Sequence, residues 1–153
     1  NNFIHNEYLP SEECRIINEA IKKYPIPPFS ETISIEPTGT GETLKVALLD
    51  DIYPSLYEDP NSDIPIGYLS VPLIMYANSR NYQLDCNFCN YEAAFMQVAS
   101  GQCPMAFGTF SSLWEEDVTM AGLLFSDTFF DLEMPYLVVE DRSKIKANGV
   151  ISM

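Results

Sequence analysis

The chain has 153 residues, enough for one domain with a real core, and 46% of them are hydrophobic while 20% are charged, which argues for a globular fold rather than disorder. Its 22 acidic against 8 basic residues give a formal net charge of −14, a sign that repels phosphate backbones and anionic bilayers and argues against nucleic acid as a partner. No run approaches the roughly 18 uninterrupted apolar residues of a membrane span, and the polar start at Asn1 shows no signal-peptide pattern.

Ser11, with Glu12 and Glu13 behind it, has the composition of a helix start. The carboxylates suit the positive end of the helix dipole. Ile16, Ile17, Ala20 and Ile21 fall at helical spacing, Lys22 and Lys23 suit the other end, and Pro25 stops the helix. The only histidine, His5, precedes it and reads as a solvated residue. Pro25, Pro27 and Pro28, then Pro37-Thr-Gly-Thr-Gly41, bracket a short β-prone run at 31–35, a linker or an edge strand. Residues 1–41 are therefore expected as a prefix to a domain spanning 42–142, with 143–153 as a tail or the start of a crossover.

From Leu44 the order becomes strand, loop, helix, strand, helix, strand. Residues 44–49 are apolar at five of six positions, as in a strand covered on both faces, and stop at Asp50 and Asp51. Asp59-Pro-Asn-Ser-Asp63 is a turn, and Ser70 suits the cap of a helix over 71–78 with Leu69, Leu73 and Tyr76 inward. A second strand is expected over 82–88. Asn90 then caps a helix over 91–99 with Ala94, Phe95 and Val98 inward, and Gly101 stops it. A short third strand at 104–107 ends in Gly108-Thr-Phe-Ser-Ser112. Ser112 and Glu115 form a capping box for a further helix, with Leu113, Val118 and Leu123 on its buried side. A last β-prone run occupies 134–139. The fold class that follows is α/β: a three-layer α/β/α sandwich with a largely parallel central sheet.

Several pieces, in this order and spacing, carry a resemblance. They are Leu-Lys-Val-Ala with Asp51-Ile-Tyr-Pro-Ser-Leu-Tyr57, Gly67-Tyr, Tyr91-Glu, Ser100-Gly101, Gly108-Thr and Phe125-Ser-Asp-Thr-Phe-Phe130. Together the chain resembles the first lobe of a type II periplasmic solute-binding protein of family 3, the lobe also used in ionotropic glutamate receptor ligand domains. The resemblance implies an extracellular or periplasmic clamshell, in which two lobes close on an amino acid or similar small polar solute and a second lobe or partner chain completes the cleft. It implies no cofactor and no membrane span within the lobe. One element departs from it. Amino-acid binders of the family hold the ligand's carboxylate with an Arg on the helix after the third strand, whereas this chain has no Arg or Lys between Arg80 and Arg142.

Candidate ligand-binding residues follow the strands. Asp51, Tyr53 and Tyr57 follow the first, as acceptor and aromatic walls. Tyr91 follows the second, and Gly108, Thr109, Ser111 and Ser112 follow the third, where hydroxyls and backbone N–H groups stand at a helix start. No catalytic and no metal-ligating residue is assigned: the lone histidine is terminal and no nucleophile motif such as G-x-S-x-G is present. Cys86-Asn-Phe-Cys89 has C-x-x-C spacing, but its first cysteine falls late in a strand rather than at a helix start. With Cys14 and Cys103 it is expected to form structural disulfides or buried thiols. The readings from other classes are a degenerate lobe serving as a protein-interaction module, and a small thiol-redox enzyme using Cys86 and Cys89.

Overall fold

The computed structural model describes residues 1–23, 34–49, 55–61, 63–110 and 115–129. Within them lie three strands, β1 (Thr43–Leu49), β2 (Gln83–Cys89) and β3 (Met105–Phe107), and four α-helices: α1 (Glu12–Lys23), α2 (Ser70–Ser79), α3 (Tyr91–Ala99) and α4 (Glu115–Met120). The strands form one parallel sheet in the order β2-β1-β3. Register runs from Thr43↔Gln83 to Leu49↔Cys89 on one side of β1 and from Val46↔Met105 to Leu48↔Phe107 on the other.

β1 is the central strand, and its apolar run is covered on both faces. Its Leu44, Val46 and Leu48 point to one face, where they share a core with Ile17 of α1 and with Leu69, Val71 and Leu73 at α2. Ala47 and Leu49 point to the other, where they meet Ala94 of α3 and Cys103. Helices thus cover both faces of the sheet, and the fold is the expected three-layer α/β arrangement. Handedness explains the split. A parallel crossover is right-handed, so stepping from β1 out to β2 places α2 on one face, and stepping back across β1 to β3 places α3 on the other. Val46, Leu48, Leu69, Val71 and Leu73 are at most 1% exposed; burying each contributes about 1.5–3 kcal/mol.

The local signals hold in detail at two helix starts. The Ser11 Oγ accepts the Cys14 N–H at 3.1 Å, and the Asn90 Oδ1 accepts the Ala93 N–H at 2.8 Å. The start of α2 differs from expectation. Ser70 is the first helical residue, not the cap, and both its N–H and its Oγ donate to the Gly67 carbonyl, at 3.0 and 2.6 Å. The tight turn at Gly67, whose φ is +106°, runs straight into the helix, and Leu69 already has helical dihedrals.

Two stretches of the first 41 residues are built onto this core. A wide π-type turn, Ile4–Tyr8, puts Phe3, Ile4 and Tyr8 against Cys14 of α1 and Met75 and Tyr76 of α2. This second cover explains why α2 is buried nearly all round rather than along the single stripe expected. The Pro-Thr-Gly segment docks on the α2–β2 turn: Thr38 N–H donates to Asn78 Oδ1 at 2.8 Å and Thr40 N–H to Asn81 Oδ1 at 3.0 Å. Only glycine fits at position 39, since a Cβ there would lie 1.8 Å from the Tyr82 carbonyl oxygen. Between 34 and 42 the chain forms no strand. Residues 31–33, the β-prone run at 134–139 and the tail at 143–153 lie outside the described residues.

Candidate functional site

A parallel sheet delivers all its strand ends to one rim. Here that rim carries Leu49, Cys89 and Phe107, and the loops that follow them. In an open α/β sheet the ligand crevice lies beyond the carboxyl ends, where the strand order reverses. In the order β2-β1-β3 that point is between β1 and β3.

The two strand ends meet closely there. Gly108, the first residue past β3, has φ +150°, and a Cβ on it would lie 2.8 Å from the Leu49 Cβ. Glycine lets the β3 exit lie flat against the β1 exit. The Phe110 N–H then turns back to the Gly108 carbonyl at 3.1 Å, which brings the Phe110 ring over the α3 face of the sheet. Tyr91, the first residue of α3, arrives from the β2 exit. The two ring centroids are 5.8 Å apart with planes inclined at 53°. Phe95 extends the row from Tyr91 at 6.5 Å, and Phe125 extends it from Phe110 at 6.3 Å. The four rings are half-buried, with Tyr91 and Phe110 resting on the Ala47, Leu49, Ala94 and Cys103 cluster.

Of the expected site residues, Tyr91, Gly108 and Thr109 come together at this rim. Tyr57 is anchored differently: it exchanges two backbone hydrogen bonds with Ile66, both 3.0 Å, while its neighbour Leu56 is buried in the α2-side core. Asp51, Tyr53, Ser111 and Ser112 lie outside the described residues. Phe95, Phe110 and Phe125 were not singled out as site residues. Phe110 follows a strand end, but Phe95 falls on the inward stripe of its helix and Phe125 in the run after the last helix, and an aromatic at any of these places is equally a signal for core.

The electrostatics of the rim follow from where the cations are. Arg15 is held by Glu12 and, at 2.6 Å, by Glu19 on α1. This hydrogen bonding keeps the exposed Glu12 carboxyl below its ordinary range. Arg80 binds Glu7 at 3.1 Å and lies 5.7 Å from the Tyr76 ring, at the far end of α2. Lys45 stands in register with Asp85 on β2. Aromatic faces, backbone groups and the Thr109 hydroxyl remain as the recognition chemistry at the described rim.

The cysteines resolve geometrically. None of the four forms a disulfide in this structure. In a strand, residues three apart point to opposite faces. Cys86 accordingly packs on the α2-side core and Cys89 on the α3-side cluster, so the C-x-x-C pair is divided by the sheet. Burial, with Asp85 alongside, pushes the Cys86 thiol up to about 12, which keeps it protonated and inert. Among the described residues no three His, Cys, Asp or Glu side chains gather as a metal site, and no helix is long and apolar enough to cross a membrane.

Comparison with family models, with curated proteins and with solved structures finds no match for this chain.

Proposed function

We propose that the chain is one lobe of an extracytoplasmic, non-enzymatic solute-binding clamshell, and that the rim between the β1 and β3 exits is its half of the cleft. The observation that carries this reading is the meeting of Tyr91 with Phe110, 5.8 Å between centroids, both packed on the cluster that contains Leu49, the residue Gly108 abuts. Half-exposed rings at the carboxyl rim of a parallel sheet are a platform for a small molecule. A second lobe or partner chain would cover the opposite side, and closure would be the signal.

The same chemistry narrows the solute. No guanidinium stands at the described rim to clamp a carboxylate, and the chain carries a net charge of −14. A neutral or cationic polar solute, stacked on aromatic faces, fits better than an anion. The test is a thermal-shift screen of sugars, polyamines and amino acids against the intact chain and the Phe110→Ala variant. A solute that raises the melting temperature of the first and not the second supports the proposal; uniform silence contradicts it.

A second reading has its own observation. Met96 is 61% exposed, Met120 81% and Leu124 90%, an unusual display of large apolar side chains that suits a protein-interaction module. Silence of the solute screen together with self-association relieved by Met96→Lys would favour it.

A further inference from the structure

We infer that Cys89 and Cys103 are the redox-active pair of this fold, forming a reversible disulfide with each other, and that the sequence neighbours Cys86 and Cys89 do not pair. The sheet separates Cys86 from Cys89, as described above, and puts Cys89 on the same side as Cys103. Both pack in one cluster with Ala47, Leu49 and Ala94.

A single side chain, Gln97 of α3, spans the two sulfurs. Its Nε2 donates to the Cys89 Sγ at 3.6 Å, and its Oε1 accepts from the Cys103 Sγ at 3.4 Å. Asn87 Nδ2 donates to the same Oε1 at 3.1 Å, and the Gln97 carbonyl accepts the Cys103 N–H at 3.0 Å. This backbone bond fixes Cys103 against α3, so the thiols are held to either side of one carboxamide. Rotation of that carboxamide outward, where Gln97 is half-buried, withdraws the group the two sulfurs share, and the bond closes when they approach one another across the cluster. Cys14 belongs to a different cluster with Phe3, Ile4 and Tyr8 and has no part in this.

The exchange is an ordinary thiol–disulfide reaction with a small disulfide such as glutathione disulfide as oxidant. Cys89 is half-buried and Cys103 only 4% exposed, so Cys89 is the entry point. Its thiolate attacks one sulfur of the oxidant, the oxidant's S–S bond breaks, and one glutathione leaves as thiolate. Cys103 then loses its proton, its sulfur attacks Cys89, and the second glutathione leaves. Two protein thiols are oxidised and one glutathione disulfide is reduced to two thiols, with the two cysteine protons ending on them. The product ties the end of β2 to the loop before β3, beneath Tyr91 and Phe110.

The test equilibrates the folded chain in glutathione redox buffers and then alkylates, counts thiols by intact mass and maps peptides. The expected result is a fall from four free thiols to two, with Cys89 linked to Cys103 and with Cys14 and Cys86 still reduced. Their protection also shows that the chain stayed folded. Cys103→Ser is expected to stop at a Cys89–glutathione adduct, and Gln97→Ala to close the bond faster than wild type. Retention of all four thiols, or a dominant Cys86–Cys89 link, would overturn the proposal.

Discussion

Tyr91 and Phe110 face one another 5.8 Å apart between ring centroids, although one opens α3 and the other follows β3. They meet because a parallel sheet sends every strand out at the same rim and α3 crosses the central strand between the two exits. Phe110→Ala removes its ring contacts with Tyr91 and Phe125 together. With the ring half-exposed, the expected loss of stability is about 1–2 kcal/mol, less than a fully buried Phe would give. A urea titration with an unchanged slope and a lower midpoint would show it.

Gly108 and Gly101 test the closeness of the two strand exits. Both have positive φ, but a Cβ at Gly101 would meet nothing within 4 Å, whereas at Gly108 it would meet Leu49. Gly101→Ala is expected to cost about 1–2 kcal/mol from backbone strain alone. Gly108→Ala adds steric overlap and is expected to cost about 2–4 kcal/mol. Equal losses in chemical denaturation would mean that the β1 and β3 exits are not in contact.

Loss of the α3 cap gives a third expectation. Asn90→Ala leaves the Ala93 N–H without its side-chain acceptor and should lower stability by about 1 kcal/mol, while Asn90→Asp should preserve it. Far-UV circular dichroism through a urea series compares the three chains.

Alkaline pH should destabilise the fold through two buried acids. Burial raises the Cys86 thiol from 9.0 to about 12, and burial together with Cys14 raises the Tyr8 phenol well above its ordinary value. A group whose pKa is higher folded than unfolded contributes fully below the unfolded value, and the contribution is lost as pH rises through the folded one. The stability of the wild type should therefore hold to about pH 9 and fall through pH 12. Cys86→Ala should flatten the first part of that fall, as equilibrium unfolding at a series of pH values would record.

Much of this fold was legible in short-range signals. Ser11 and Asn90 cap their helices because an oxygen acceptor one turn ahead of a helix start acts locally. The apolar run of β1 announced coverage on both faces. Ser70 misled because a serine before an apolar run looks the same whether it accepts from the helix or donates to the turn behind it. The docking of Thr38 and Thr40 on Asn78 and Asn81 joins residues about forty positions apart, and no local composition encodes it. The same holds for the site. Tyr91, Gly108 and Thr109 could be named from their place after strands, but the ring row through Phe95, Phe110 and Phe125 depends on strand order. The C-x-x-C spacing carried redox meaning only until the strand placed its cysteines on opposite faces.

The most direct test of the solute-binding rim is an amide-resolved NMR titration of the isotopically labelled chain with the neutral and cationic solutes named above, since it detects the weak binding expected of one lobe. The expected result is a saturable shift centred on Tyr91, Gly108, Thr109 and Phe110 with one solute class, and no response at Thr43 or Gln83 at the opposite ends of the strands. A saturable shift confined to those opposite ends, or none with any solute, would contradict it.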